Sequence, residues 1–523
     1  MSIQRARTSD TLNLIRLSFT NPLFASEVMD LTLALDDGAR NDERTLLNAL
    51  WLRTQGFDDH RTAALMDRFS RFPARVPDIV TSRLIDDYAL RTASTLDNDL
   101  HAYLLSHYHV PNSLPLVESL LERYKVDRPF KDTILVACQH LLGTTVSQFE
   151  YFHKLGVAWK DMHIVGKPYS TSRAAMLHLR DRGAHVHSFS QHFVTAGAKN
   201  SVWFENGLRA AGAEMLNEAY ESLRGRGGRI LILDDGGMVL DVANNLRDID
   251  SDKIVGVEQT TGGINRLHNV QLRFPVIDVA SSHAKLSLEA RYIADSIISE
   301  SLIHRERLRG TVSGAHEERY LVVGFGPVGA GVAAKLQTAF GRKSVCVWDI
   351  DTRKAAVARQ VGFDTTHNIT SGLKGASCVI GCTGHRAFDS IRDNNVRPGT
   401  ILISGSSANF EFDGIAARSR DRFTDLDESP YYQVARSDFA RIHDDYKTSN
   451  DWGDFWLCNA GFPVNFTGDF DPIDAHHIQV TRALMIAGAV QASGTRTEPG
   501  LRTFADEFDA CISDVFTRLV SNQ

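Results

Sequence analysis

Five short stretches carry the polar residues whose types and spacing could do chemistry. "CQHLLGTT" places His140 just after an apolar run, "ILDDGGM" carries Asp234 and Asp235, and "VEQTTGG" carries Glu258, Gln259, Thr260 and Thr261. "SSHAKLSLEARY" holds Lys285 and Glu289, four residues apart and so on one face of a helix. The fifth, "LVVGFGPVGAGVAAKL", sets Gly324, Gly326 and Gly329 around Val328 as G-x-G-x-x-G, between an apolar strand and a helix. Lysine, histidine and carboxylates are the groups that carry protons in acid–base catalysis. A glycine turn of this kind receives a dinucleotide. Gly324 permits the tight turn, Gly326 lets a pyrophosphate approach the backbone, and Gly329 lets helix and strand pack closely. The free N–H groups of the helix N-terminus then face the phosphates. Asp349 ends the next strand about twenty residues on, where a carboxylate bonds the ribose hydroxyls and repels a 2′-phosphate. The expected cofactor is therefore NAD. Thr383 and Gly384, in "GCTGHR", end a later strand on the side where the nicotinamide half should lie.

Each stretch also has a plainer reading. His140 can be a satisfied structural histidine, Asp-Asp-Gly-Gly a turn, Lys285 with Glu289 a surface ion pair, and the glycines a packing device. What favours chemistry is recurrence: several polar clusters at successive strand ends, in a chain that also has a cofactor turn.

The elements that must position these residues alternate. From residue 130, strands such as "TILVACQH", "GRILILDDGG" and "KIVGVEQTTGG" alternate with helices such as "TTVSQFEYFHKLG". That alternation implies a parallel sheet covered on both faces, with ligands at the carboxyl ends of its strands. A second alternating block runs from 320 to about 412, with "YLVVGFGPVG", "KSVCVWDID", "ASCVIGCTG" and "GTILISGSS". Residues 413–475 read as irregular, and helices are expected over about 475–492 and 501–519. Residues 1–125 read as helical.

The order of motifs resembles the S-adenosylhomocysteine hydrolase family, from about residue 110 to about 490. "ILDDGG" matches that family's motif letter for letter, "EQTTGG" is similar to its E-E-T-T-T-G, and "FPVIDVASSHAK" keeps its spacing from Pro275 to Lys285. "GFGPVGAG" resembles its G-Y-G-D-V-G-K-G, and "GFPVNF" its late G-H-P-S-F. The resemblance implies an α/β fold: a doubly wound parallel substrate domain interrupted by an inserted Rossmann NAD-binding domain, with an extra helical N-terminal region. The implied divisions are a helical extension (1–109), a first part of the substrate domain (110–295), the NAD-binding domain (296–411), a second part of the substrate domain (412–474) and C-terminal helices (475–523).

The family's reaction is an internal redox cycle. Tightly held NAD takes hydride from a ribose 3′-carbon, the ketone acidifies the neighbouring hydrogen, a thiol leaves, water adds, and the hydride returns. By motif, Lys285 stands for the family's 3′-hydroxyl lysine, Asp235 for its catalytic aspartate and His140 for its histidine. Thr260 and Thr261 stand for cofactor-contacting threonines. Gln259 replaces the family's second glutamate and Glu289 its aspartate, while Ala290, Ala294 and Phe462 replace its asparagine, cysteine and gate histidine. Three readings stay open: an NAD-dependent enzyme that transiently oxidises a ribose 3′-hydroxyl and cleaves a thioether; a redox enzyme on another nucleoside or polyol; an NAD-binding scaffold without catalysis. The resemblance also implies a homo-oligomer, without the cross-subunit tail of the family, since the chain ends "TRLVSNQ".

The resemblance implies a small nucleoside-type substrate, and composition argues against larger partners. A net charge of −7, with no basic stripe, argues against nucleic acid. No run approaches the roughly 18–20 apolar residues of a membrane span, and "ALMIAGAVQA" reads as a buried helix. The N-terminus shows no secretory signal. The scattered cysteines suit a reduced, cytoplasmic setting. Cys378 and Cys382 lack a second ligand pair at zinc spacing, so no metal is expected.

Overall fold

The computed structural model describes residues 110–124, 128–191, 194–196, 203–309, 318–388, 396–412, 439–441, 443, 445–450, 453–467, 471–494 and 498–521. All of them fall within one compact unit, Val110–Leu426 with Ala435–Gln523. The helical extension expected over 1–109 lies outside the described residues.

The strands fall into two large sheets. In chain order they begin with β1 (Thr133–Gln139), β2 (Met162–Gly166), β3 (His185–Val186) and the short β4 (Val194–Ala196). Next come β5 (Arg229–Asp234), β6 (Ile254–Glu258) and β7 (Pro275–Asp278). The second block holds β8 (Tyr320–Val323), β9 (Val345–Trp348), β10 (Asp364–Thr365), β11 (Cys378–Gly381) and β12 (Ile401–Ser404). After β13 (Phe439–Arg441), which pairs with β4, come β14 (Tyr446–Asn450), β15 (Gly453–Leu457) and β16 (Gly500–Thr503).

The first sheet has the order β16-β7-β6-β5-β1-β2-β3, with every pairing parallel. The second has the order β10-β9-β8-β11-β12-β15-β14, parallel except for the β14–β15 hairpin. Strands such as TILVACQ and YLVV are buried along their whole length. That suits their unbroken apolar character, because a parallel sheet is covered on both faces. The chain leaves the first sheet after β7, builds the second, and returns with β16.

Two sequence expectations need correction. The segment expected as a helix from 501 opens instead with β16, and the final helix is Asp506–Ser521. GLRT is too short to pack a helical face, and its backbone is taken up by the edge of β7. The stretch read as irregular from 413 includes the antiparallel pair β14–β15, in which Asn450 faces Gly453 at φ 137°. The helix Ala475–Ser493 is buried along most of its length, as its apolar run requires. No helix among the described residues is long and apolar enough to cross a membrane.

Both sheets reverse their strand order between two neighbours: β1 and β5 in the first, β8 and β11 in the second. A crevice opens at the carboxyl ends of the strands wherever the order reverses.

Candidate active site

The ends of both sheets open onto one cavity of about 860 Å³. Register brings its polar residues together. Gln139 pairs with Gly166 across β1 and β2, so His140 and Lys167 are the next residues on adjacent strands. Asp234 pairs with Glu258 across β5 and β6, which sets Asp235 beside Gln259.

Asp235 is the centre of the first cluster and is 2% exposed. Its Oδ1 accepts from the Lys167 ammonium. Its Oδ2 accepts from Gln259 Nε2 at 2.5 Å and lies 3.2 Å from His140 Nε2. Burial works to raise the Asp235 carboxyl, but Lys167 and then His140 overcome it and hold the group well below the usual carboxylate range. Burial likewise works to lower Lys167, and the Asp235 charge reverses that and holds it above its usual value. Both stay ionised. Burial pushes the His140 imidazole below its ordinary value, against the pull of Asp235. A neutral ring donating from Nε2 to Asp235 leaves Nδ1 to accept from the Ser170 hydroxyl at 2.5 Å. Phe466 stacks on the ring at 4.2 Å between centroids. Both nitrogens of His140 are therefore occupied, and the ring is fixed.

The second cluster sits on the segment Lys285–Glu289, a π-turn that opens the helix Ala290–Arg309. Lys285 Nζ donates to Glu289 Oε1 at 2.6 Å and to Thr481 Oγ1 at 2.6 Å. The Thr481 hydroxyl donates in turn to Glu289 Oε2. Glu289 is 1% exposed, while the Lys285 side chain keeps 17% exposure. One of the three ammonium protons of Lys285 is left without a partner among the described residues, and the residue lines the cavity. Asp509 of the last helix caps the start of this segment, accepting from His283 N at 2.7 Å and Ala284 N at 2.9 Å.

Glu258 does not line the cavity. It is fully buried and accepts from Gly236 N, Gly237 N, Thr260 N and the Thr260 hydroxyl at 2.6–3.1 Å. It thereby ties the Asp-Asp-Gly-Gly turn to the Gln-Thr-Thr turn. Burial and the neighbouring Asp234 push it well above the usual carboxylate range, and burial raises Asp234 to about 6. The Thr260 hydroxyl, whose proton is committed to Glu258, also accepts from Gly263 N and so caps the helix Thr261–Leu267. Thr261 lies at the start of that helix, on the cavity wall.

The glycine turn forms the other wall, where Gly324, Gly326 and Val328 line the cavity with Asp349, Thr383 and Gly384. Gly324 has φ 96°, a conformation that L side chains avoid. A Cβ on Gly329 would stand 2.0 Å from the Gly324 carbonyl oxygen, so Gly329 serves the turn and does not face the cavity. A Cβ on Gly326 would meet nothing within 4 Å. That open side, above the N-terminus of the helix Pro327–Phe340, is the room a pyrophosphate needs. Asp349 Oδ2 accepts from Phe325 N at 2.6 Å and Oδ1 from Asp351 N at 2.8 Å, leaving each oxygen a lone pair for a ribose hydroxyl. The residues present thus fit a dinucleotide. Thr383 is held from behind by Glu411, which accepts from its hydroxyl at 2.8 Å and its N–H at 3.2 Å. Burial pushes the Glu411 carboxyl up to about 7, against hydrogen bonds from Ser406 and Thr383.

His140, Asp235, Gln259, Lys285 and Glu289, the candidate catalytic residues of the sequence, all line this one cavity. Sequence reasoning did not find every polar residue there. It passed over Lys167, Thr481, Arg482 and Asp471. Lys167 carried the same signal as His140, a polar residue one step past a buried strand. Thr481 and Arg482 are the polar interruptions of an otherwise apolar helix. Elsewhere, His304, Asp445 and Cys458 bring possible ligand atoms within 4.8 Å of one another, but the Arg307 guanidinium already holds the Asp445 carboxylate.

No family model matches the chain. An uncharacterized protein of Mycobacterium tuberculosis, present in strains CDC 1551 and H37Rv, is 30% identical over 382 residues, covering 73% of this chain and 68% of the relative. S-inosyl-L-homocysteine hydrolase of Methanothermobacter thermautotrophicus is 25% identical over 60% of this chain and 70% of its own. Adenosylhomocysteinase of Thermoplasma acidophilum is 24% identical over 56% of this chain and 66% of its own. These two are distant homologues, and both are enzymes. Among solved structures, a phosphoglycerate oxidoreductase of Vibrio cholerae (11% identity, 55% of this chain, 80% of that chain, TM-score 0.28) and D-lactate dehydrogenase of Escherichia coli (11%, 55%, 79%, 0.27) are too slightly alike to bear on function. By its match to the mycobacterial protein, the chain belongs to the family of that uncharacterized protein.

Proposed function

We propose that the chain is an NAD-dependent enzyme, a divergent relative of adenosylhomocysteinase, that transiently oxidises the 3′-hydroxyl of a ribose-like substrate and cleaves a thioether. The observation that carries this reading is the sharing of one cavity by a dinucleotide turn and two lysine–carboxylate clusters. The second sheet is then the inserted NAD-binding domain, with the first sheet and the C-terminal helices supplying the substrate side.

NAD would lie with its pyrophosphate over Gly326 and a ribose on Asp349, and when bound it supplies a two-electron hydride acceptor. Lys285, once its third proton has left to solvent, turns the freed lone pair to the substrate hydroxyl and takes its proton as the carbon is oxidised, while its two remaining N–H bonds to Glu289 and Thr481 fix the amine in place. Asp235 lines the same cavity as an anion held ionised by Lys167 and His140. Its charge favours positive charge developing beside it, and His140, Gln259 and Lys167 keep it from turning. Phe466 shields His140 from water on one face.

A second reading is favoured by the Lys167–Asp235 pair. A carboxylate held so far below its usual range is a weak base, and Gln259 cannot titrate. On that ground the oxidation half is better supported than the elimination half, and the substrate would be another nucleoside or polyol that is oxidised without cleavage.

The test is to load the protein with NAD, add S-adenosylhomocysteine or S-inosylhomocysteine, and follow reduced nicotinamide by absorbance and products by mass spectrometry. Free nucleoside and homocysteine support the first reading, and reduced cofactor without cleavage supports the second. Lys285→Met should lower turnover by about 10³-fold with nucleotide affinity unchanged. Unaltered turnover in that variant would refute both.

A further inference from the structure

Arg482 is the buried cation whose partners do not account for it. It lies next to Thr481 on the helix Ala475–Ser493, is 4% exposed, and lines the cavity. Its Nε and Nη2 reach Thr144 Oγ1 at 3.3 and 3.2 Å, and its Nη1 reaches Gln148 Oε1 at 3.4 Å. These are long bonds to neutral oxygens. Among the described residues the guanidinium forms no ion pair, although Asp471, Glu289 and Asp235 surround it at greater distance. Thr144 stands between Arg482 and the first of these: its hydroxyl donates to Asp471 Oδ1 at 2.6 Å. Beside it, the Gln148 amide nitrogen is buried without a partner among the described residues.

A guanidinium has five N–H donors and no acceptor. Three are engaged here, all weakly, which leaves two on the Nη1 and Nη2 atoms of a side chain that faces a cavity. An oxygen with two lone pairs satisfies both at once. A ring nitrogen, with one lone pair, satisfies only one. Buried donors left unmade are costly, so the site is built for a ligand oxygen.

Resting on the function proposed above, we propose that Arg482 binds an oxygen acceptor of the substrate, either the ring carbonyl of an oxopurine or the carboxylate of an amino-acid tail, and so sets which substrate the cavity takes. Thr481 touches Lys285 at 2.6 Å while Arg482, the next residue, turns to Thr144. The residue that handles the hydroxyl and the residue that reads the oxygen are thus fixed by one turn of one helix.

The experiment is calorimetric binding of inosine, adenosine and homocysteine to the full chain and to its Arg482→Met and Arg482→Lys variants. The lysine variant keeps the charge without the planar fork, and it carries the test if the methionine variant does not fold. The expected result is a loss of at least about tenfold for inosine or for homocysteine, with adenosine, which has neither carbonyl nor carboxylate, changing less than about twofold. A loss confined to inosine identifies the carbonyl, and one confined to homocysteine identifies the carboxylate. The proposal is overturned if the wild type binds neither oxygen-bearing probe, if both affinities survive substitution, or if adenosine falls as far as inosine. Binding needs no hydride transfer, so this outcome is independent of whether the redox reading holds.

Discussion

At the scale of single residues, Lys167 decides how Asp235 behaves. Removing the ammonium while leaving the carboxylate strands a buried charge, so Lys167→Met should destabilise the protein by about 3–5 kcal/mol near neutral pH. The sign with pH follows from the direction of the shift. Asp235 is depressed in the folded state, so its stabilising contribution is present above the unfolded carboxylate range and is lost only as pH falls through its much lower folded value. In the variant the carboxyl rises, and acidification relieves the stranded charge by protonating it. Urea unfolding should show a deficit that shrinks between about pH 7.5 and about pH 5, and an equal deficit at both would contradict the pairing. His140, Asp235 and Gln259 were legible because each ends a strand whose apolar run announces itself. Lys167 ends one too. It went unread because nothing local says that β2 lies beside β1, and only the pairing of Gln139 with Gly166 brings its ammonium to Asp235.

At the scale of elements, the glycine turn separates packing from binding. Gly326→Ala adds a methyl to open space, so the unfolding free energy should hold within about 0.5 kcal/mol while NAD affinity falls. Gly329→Ala drives a methyl into the Gly324 carbonyl, so affinity and stability should fall together, the latter by about 1–3 kcal/mol. Calorimetry with NAD, paired with denaturant unfolding, distinguishes the two variants. Glu411 holds the Thr383 loop as a buried carboxyl raised to about 7. A raised group contributes stability that is present below the unfolded carboxylate range and is lost as pH rises through its folded value. Glu411→Gln cannot ionise, so its thermal midpoint should gain on that of the wild type as pH rises from about 5 to about 8. A constant gap would mean that Glu411 is already ionised. The parallel strands and the helix Ala475–Ser493 were legible from apolar runs. β16 was not, because GLRT becomes a strand only against β7, distant in the chain. The hairpin β14–β15 was hidden by its polar and aromatic mixture, YKTSN and GDFWL.

At the scale of the whole molecule, residues far apart in sequence hold one site. Asp509, in the last helix, caps the segment that carries Lys285. Asp509→Ala should cost about 1 kcal/mol of stability and lower turnover, with NAD affinity unchanged. Turnover equal to the wild type would show that the cap does not position the lysine. Between β7 and β8 the chain crosses from the first sheet to the second, and between β15 and β16 it crosses back; each crossing contains a long helix. Lys285 and Glu289 belong to the first crossing and Thr481 to the second, and their hydrogen bonds join the two. The cluster thus works as a rivet through the two crossings, so that the seat of one amine depends on segments nearly two hundred residues apart and a slip in either would be felt there first.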